Sequence, residues 1–187
     1  LHLTMAFIIL GLTFYTLVSY LFENNLINKN SVFIKKYKIL LITIFIFICF
    51  QISYGAFVSG THSGLIYNTW PLYNGNILPY TENTQIRWII NFFENGEYII
   101  FIHRTFAMII LFLLLYLNYS IIMNRRINSY YPVIIFFNIT FILQIILGVS
   151  MTYLNIPWHL ALLHQGNSIL VFLLSLFMYQ LSLKSPQ

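Results

Sequence analysis

Five stretches of this chain, 3–22, 37–58, 97–123, 132–154 and 157–183, run apolar with almost no charge. About twenty such residues are what a helix needs to cross the hydrocarbon core of a bilayer. Inside lipid every backbone polar group must be satisfied by the chain itself, which leaves helices or a closed barrel. Barrel strands alternate with period two over about ten residues, and these runs do not. The expected fold is an all-α integral membrane helical bundle with five transmembrane helices. Composition agrees, since only 7% of the 187 residues are charged, against about 25% in a soluble domain. Nine basic and four acidic residues cannot build a water-facing surface. A disordered chain and a collagen-like fibre are excluded with it. The first run lacks the basic flank and small-residue cleavage site of a signal peptide and reads as a span.

The connections differ in kind. Residues 23–36 form a polar link, 124–131 a short one, and Asn155 and Ile156 a tight turn before Pro157. Residues 59–96 form a long segment rich in Asn, Gly, Pro and Trp, expected to have no helix of its own, and loops of that kind are usually functional or disordered. Trp70, Trp88 and its tyrosines suit the membrane interface. With five spans, Lys29, Lys35, Lys36, Lys38, Arg125, Arg126 and Lys184 fall on one face, and Arg87 and Arg104 on the face where the chain begins. The positive-inside rule then puts the basic face inside, and the 59–96 loop outside. Glu82, Glu94 and Glu97 also fall outside. An outer start without Met favours the C-terminal part of a longer protein, with a non-standard start codon as the alternative. The net charge of +5 is too sparse for a nucleic-acid surface, so no nucleic-acid partner is expected. Cys49 alone excludes a disulfide framework and a Cys-ligated metal site.

Ionisable groups within spans are functional candidates. His103 and His164 lie about 9–10 Å below the outer face on two parallel spans. Helix pitch places Phe106, Ala107 and Ile110 beside the first, and Ala161, Ser168 and Val171 beside the second. Small neighbours leave room for a flat macrocycle. Without Cys, Asp or Glu at that depth, a His-only pair suits haem iron better than zinc. A lone membrane histidine more often bonds between helices; two at matching depth favour ligation. Each imidazole is expected to donate its other N–H to the carbonyl four residues earlier, of Ile99 or Leu160. Arg104 either reaches a haem propionate or snorkels outward, and both readings stay open. Met5, Met108 and Met151 read as core filling. His62 and His159 read as interfacial, His2 begins the first span without a partner, and Gly55, Gly60 and Gly148 read as close-packing positions.

At these residues the chain resembles haem A synthase of the mitochondrial and alpha-proteobacterial type. The resemblance rests on Gly55 to Gly60 running on to Tyr67-Asn-Thr-Trp-Pro-Leu72, on Asn91-Phe-Phe-Glu-Asn95 with Phe101-Ile-His-Arg104, and on Gln144, Gly148, Pro157 and His164-Gln165. It implies eight spans in two four-helix halves, each with a histidine pair. Residues 37–187 then match the C-terminal, haem-binding half, with His103 and His164 holding the iron of haem b and Arg104 near that cofactor. Residues 1–22 match the last helix of a missing N-terminal half, with His2 as one ligand of the substrate haem. The implied activity is oxidation of the haem O C8 methyl to a formyl group through hydroxylation steps. Implied partners are haem O, a haem O synthase, an electron donor and that missing half. The implied site is the bacterial cytoplasmic or mitochondrial inner membrane. With both axial positions filled, the C-terminal haem suits electron transfer rather than oxygen activation. The alternatives are a non-catalytic membrane cytochrome b and a haem-binding assembly subunit. The 67–72 loop favours the enzyme, because a plain cytochrome b has no need of it. Without its partner, His2 is expected to be poorly packed, since the first span has lost its neighbours.

Overall fold

The computed structural model describes residues 2–27, 36–73, 75–79, 88–123 and 131–184. Lys29, Lys35, Glu82, Arg87, Arg125 and Arg126 lie outside the described residues. Five long helices run as α1 (His2–Glu23), α2 (Lys38–Gly60), α5 (Gly96–Met123), α6 (Tyr131–Tyr153) and α7 (Trp158–Lys184), with two short ones, α3 (Ser63–Ile66) and α4 (Trp88–Glu94), between α2 and α5. All five long helices are long and apolar enough to cross a membrane, as the five runs required. The short helices correct the expectation that 59–96 carries none.

Local chemistry sets the boundaries. At the start of α5 the Asn95 side chain accepts from the backbone N–H of Glu97 at 3.0 Å and of Tyr98 at 3.3 Å, satisfying donors that the helix itself cannot. Glu97 adds an acidic group in the first turn, where the helix dipole favours it. Between α6 and α7 the chain turns through left-handed backbone at Asn155 (φ 55°) and Ile156 (φ 53°). Asn tolerates that conformation; a β-branched Ile does not without cost. The Ile156 N–H bonds to the Met151 carbonyl at 2.9 Å, and its side chain lies where a Cβ on Gly64 would stand only 2.6 Å away. Gly64 therefore lets α3 press onto this turn.

Helix α2 packs against both α5 and α7, α6 against α7, and α1 against α7 and more lightly α2. The core is apolar, with Phe22, Ile44, Ile48, Ile110, Leu117, Phe137 and Met178 fully buried. Large apolar side chains such as Ile9, Leu12, Phe112 and Ile122 face outward, as lipid contact requires. Amide side chains bind helix to helix where apolar contact alone gives no preference in lipid. Asn118 on α5 and Asn138 on α6 donate to each other's carbonyl oxygens at 2.9 and 3.1 Å. Buried Gln180 donates to the Tyr15 carbonyl of α1 at 2.9 Å. Gly11 brings α1 so near that a Cβ would meet the Phe172 ring at 2.9 Å, and Phe7 meets that ring edge-on. Helix α1 is thus docked closely on α7, because Gly11 and Gln180 give it a seat within the chain, while His2 at its start is exposed.

Candidate functional site

His103 lies two turns into α5 and His164 at the same depth in α7, both partly buried. The two imidazoles are within electrostatic reach of each other. Each faces a glycine on a neighbouring helix. A Cβ on Gly55 of α2 would stand 3.3 Å from His103 Cε1, and one on Gly148 of α6 would stand 3.2 Å from His164 Cε1. These glycines make room for imidazole rings and not for close helix backbones, which corrects their reading as packing positions. Gly60 has nothing within 4 Å of its would-be Cβ.

One turn before each glycine on the same face stands a glutamine, Gln51 or Gln144. The helix pairs α2/α5 and α6/α7 therefore repeat one device, a Gln-x-x-x-Gly face set against a histidine. The two copies differ in one contact. Gln51 Nε2 lies 3.2 Å from His103 Nε2, whereas Gln144 donates to the backbone carbonyl of His164 at 3.0 Å. Asn167 then donates to Gln144 Oε1 at 2.7 Å and to the Thr140 carbonyl at 2.9 Å, fixing that amide. Sequence reasoning gave Gln51 no role, and Gln144 entered only through a resemblance. The repeated spacing was the signal that could have found both.

The Nδ1 atoms of His103 and His164 are buried and, among the described residues, have no hydrogen-bond partner. Neither ring bonds the carbonyl of Ile99 or Leu160 as expected. Those positions are interior to α5 and α7, where helix carbonyls already accept backbone N–H groups, and the rings turn toward the glycine faces instead. A buried polar nitrogen without a partner costs about 1–3 kcal/mol. Two at one depth mark a place for something to bind. No group of three or more His, Cys, Asp or Glu able to hold a bare metal ion occurs among the described residues. Two imidazoles facing a glycine-cleared space fit a metal carried by a macrocycle, as in haem.

Arg104 follows neither of its two readings fully. Its Nη2 donates to the Thr69 carbonyl at 2.7 Å, its guanidinium lies over the Tyr73 ring at 5.0 Å, and its Nη1 is buried and has no hydrogen-bond partner among the described residues. Tyr73 is buried against Phe101, and burial holds its phenol above the ordinary value, partly offset by Arg104. The 67–73 segment is tied on its other side too. Asn68 donates to Asn155 Oδ1 at 2.7 Å, and the Tyr153 hydroxyl to the Trp70 carbonyl at 3.3 Å. The loop is a strap from α5 to the α6–α7 turn, over the end of the bundle that holds both histidines. His2, His62 and His159 are exposed; His62 precedes α3 in left-handed backbone, and His159 stands edge-on to Trp158. The structure brings none of them to the His103–His164 pair.

The family model for cytochrome oxidase assembly protein (COX15-CtaA) matches residues 1–176. The chain belongs to this family. Similar family members include a heme A synthase of Wolbachia sp. subsp. Brugia malayi, 39% identical over 92% of this chain and 49% of its own length. A heme A synthase of Wolbachia pipientis wMel is 38% identical over 95% of the chain and 48% of its own length. One of Pelagibacter ubique is 34% identical over 91% and 48%. The chain spans about half the length of these curated relatives. No solved structure matches it significantly. The resemblance drawn from the 67–72 loop and the His-Arg and His-Gln motifs thus agrees with the family assignment.

Proposed function

We propose that this chain is the haem-b-holding, C-terminal half of a haem A synthase, the oxidoreductase that converts the C8 methyl of haem O to a formyl group. The observation that carries the reading is the pair of partnerless imidazole nitrogens at one depth, each set against a glycine on a Gln-x-x-x-Gly face. His103 and His164 would hold the haem iron. Gln51 holds the His103 ring, Gln144 and Asn167 hold the backbone of α7, and Gly55 and Gly148 keep the approach open. Arg104, with Nη1 unspent, would take a propionate while its other arm anchors the 67–73 strap, which limits water at that end. When bound between two histidines, a b-type haem supplies one-electron transfer.

In this reading residues 1–22 belong with an N-terminal half, 23–36 form an inner link, and 37–187 form the haem-b half. His2 would give the substrate haem one ligand and the N-terminal half the other. The distribution of Lys and Arg supports placing the 59–96 loop outside and the 23–36 link and C-terminus inside, in a bacterial cytoplasmic or mitochondrial inner membrane. A haem O synthase and an electron donor complete the set of partners. The experiment is chromatography of haems extracted from a host lacking its own synthase. Expression of the 187-residue chain alone should yield no haem A, and co-expression with a family N-terminal half should yield it. Haem A from the chain alone would show that one half suffices, and the division of labour would be wrong.

A further inference from the structure

Gln165 follows His164 in α7, yet it is exposed and its side-chain amide makes no hydrogen bond among the described residues. It stands seven residues after Trp158, about 10 Å along a helix apolar enough to cross a membrane. A polar group facing hydrocarbon is costly, and amides in spans bond to a neighbouring helix. Further along α7 that neighbour is α1. Phe7 meets the Phe172 ring edge-on, a Cβ on Gly11 would stand 3.9 Å from Leu176 Cδ2, and Gln180 donates to the Tyr15 carbonyl at 2.9 Å. All three pairs are offset by 165 residues, so the two helices run parallel and in step, with His2 level with Asn167. Stepping outward by three or four residues, the stripe of Gln180, Leu176 and Phe172 continues as Ile169, Gln165, Leu162 and Trp158. The first three are buried under α1; the other four are exposed, Ile169 by 38% and Leu162 by 63%. Gly166, beside the stripe, has nothing within 4 Å of its would-be Cβ.

We propose that a helix continuing α1 beyond Leu1 occupies this outer stripe, and that Gln165 donates to one of its backbone carbonyls as Gln180 donates to that of Tyr15. The two glutamines are 15 residues apart, just over four turns, which returns Gln165 close to the face that α1 covers. In the register of the docked part, the carbonyl meeting Gln165 belongs to the residue directly before Leu1. Two observations choose this occupant over lipid or a second copy. The stripe is continuous with an interface that α1 already makes, and the chain spans only 49% and 48% of the length of two curated relatives. If this chain is the C-terminal half, the reading on which this proposal rests, those further residues precede Leu1. Small residues and amides are what helices in lipid use to meet, and Gly166 and Gln165 supply both. The added turns would enclose the outer half of α7, the part that carries His164.

The test uses the chain in a Cys49→Ala background, lengthened at Leu1 by the two to three helical turns that precede the matching position in one of the curated relatives. A disulfide closes only where the two Cα atoms come within about 7 Å. A cysteine placed directly before Leu1 should close with Gln165→Cys on mild oxidation, as Tyr15→Cys should with Gln180→Cys. It should not close with Leu163→Cys, which is exposed on another face of α7. In mixed micelles, Gln165→Leu should leave unfolding of the 187-residue chain unchanged and lower the midpoint of the lengthened one, whereas Gln180→Leu should lower both. Failure of Gln165→Cys to close while the Tyr15–Gln180 pair closes would overturn the proposal, as would an equal effect of Gln165→Leu in the two chains. Covalent dimers of the lengthened chain through Gln165→Cys would overturn it too, by assigning the stripe to a second copy. None of these readouts needs haem, so their failure would leave the haem assignment standing, and haem A made by the 187-residue chain alone would leave the helix register untouched.

Discussion

A single methyl group separates an open approach to His103 from a blocked one. The Cβ introduced by Gly55→Ala would stand 3.3 Å from Cε1 of that ring, and Gly148→Ala puts one 3.2 Å from His164. Each is tighter than an ordinary carbon–carbon contact, so the ring must give way, and overpacking of this kind costs about 1–3 kcal/mol. Haem titration should therefore show affinity falling about tenfold in either variant, and Gly55→Leu should abolish binding; unchanged affinity would mean that the rings do not face the haem as argued. Gln51→Leu removes the group 3.2 Å from His103 Nε2 but leaves both ligands. It should keep the low-spin spectrum while shifting the midpoint potential, whereas Gln144→Leu, which touches only backbone at His164, should shift it less. The histidines were legible in the sequence because an ionisable group in an apolar run stands out. Gln51 and Gly55 were not, since each is an ordinary residue of a membrane helix until a partner helix shows which face it occupies.

Among the helices, the spans themselves were the most legible feature, because lipid imposes a length and forbids charge. Their ends moved by only one or two residues, set by Asn95 at α5 and by the turn at Asn155 and Ile156. Their neighbours were not legible, since apolar surface specifies burial in lipid and not a partner. The partners are chosen by amides. Asn138→Leu would leave Asn118 without the reciprocal bonds it makes, and intramembrane bonds of this kind are worth about 0.6–1.7 kcal/mol. Unfolding in mixed micelles should show that loss. The double variant Asn118→Leu and Asn138→Leu should lose less than the two single losses added. Strict additivity would mean that the pair does not act as a unit. Gln180→Leu should in the same way loosen α1 from α7, exposing the 23–36 link to protease sooner, with little effect on the histidine pair.

Across the whole molecule, the strap at 67–73 and the two histidines occupy one end, and Lys36 with the start of α2 the other. If the basic residues mark the inner face, then in a Cys49→Ala background Asn76→Cys should react with an impermeant reagent from outside, and Asn24→Cys only after permeabilisation. The reverse pattern would invert the topology. The strap was not legible in the sequence, because its bonds from Arg104 to Thr69 and from Asn68 to Asn155 join segments 35 and 87 residues apart. The central claim is that His103 and His164 together hold one haem, and it is tested most directly by the absorption and paramagnetic resonance spectra of the haem-loaded chain. The wild type should bind one b-type haem in a low-spin, six-coordinate state. His103→Ala and His164→Ala should each lose that signature, while His62→Ala keeps it. A low-spin six-coordinate spectrum surviving in either of the first two variants would contradict the account.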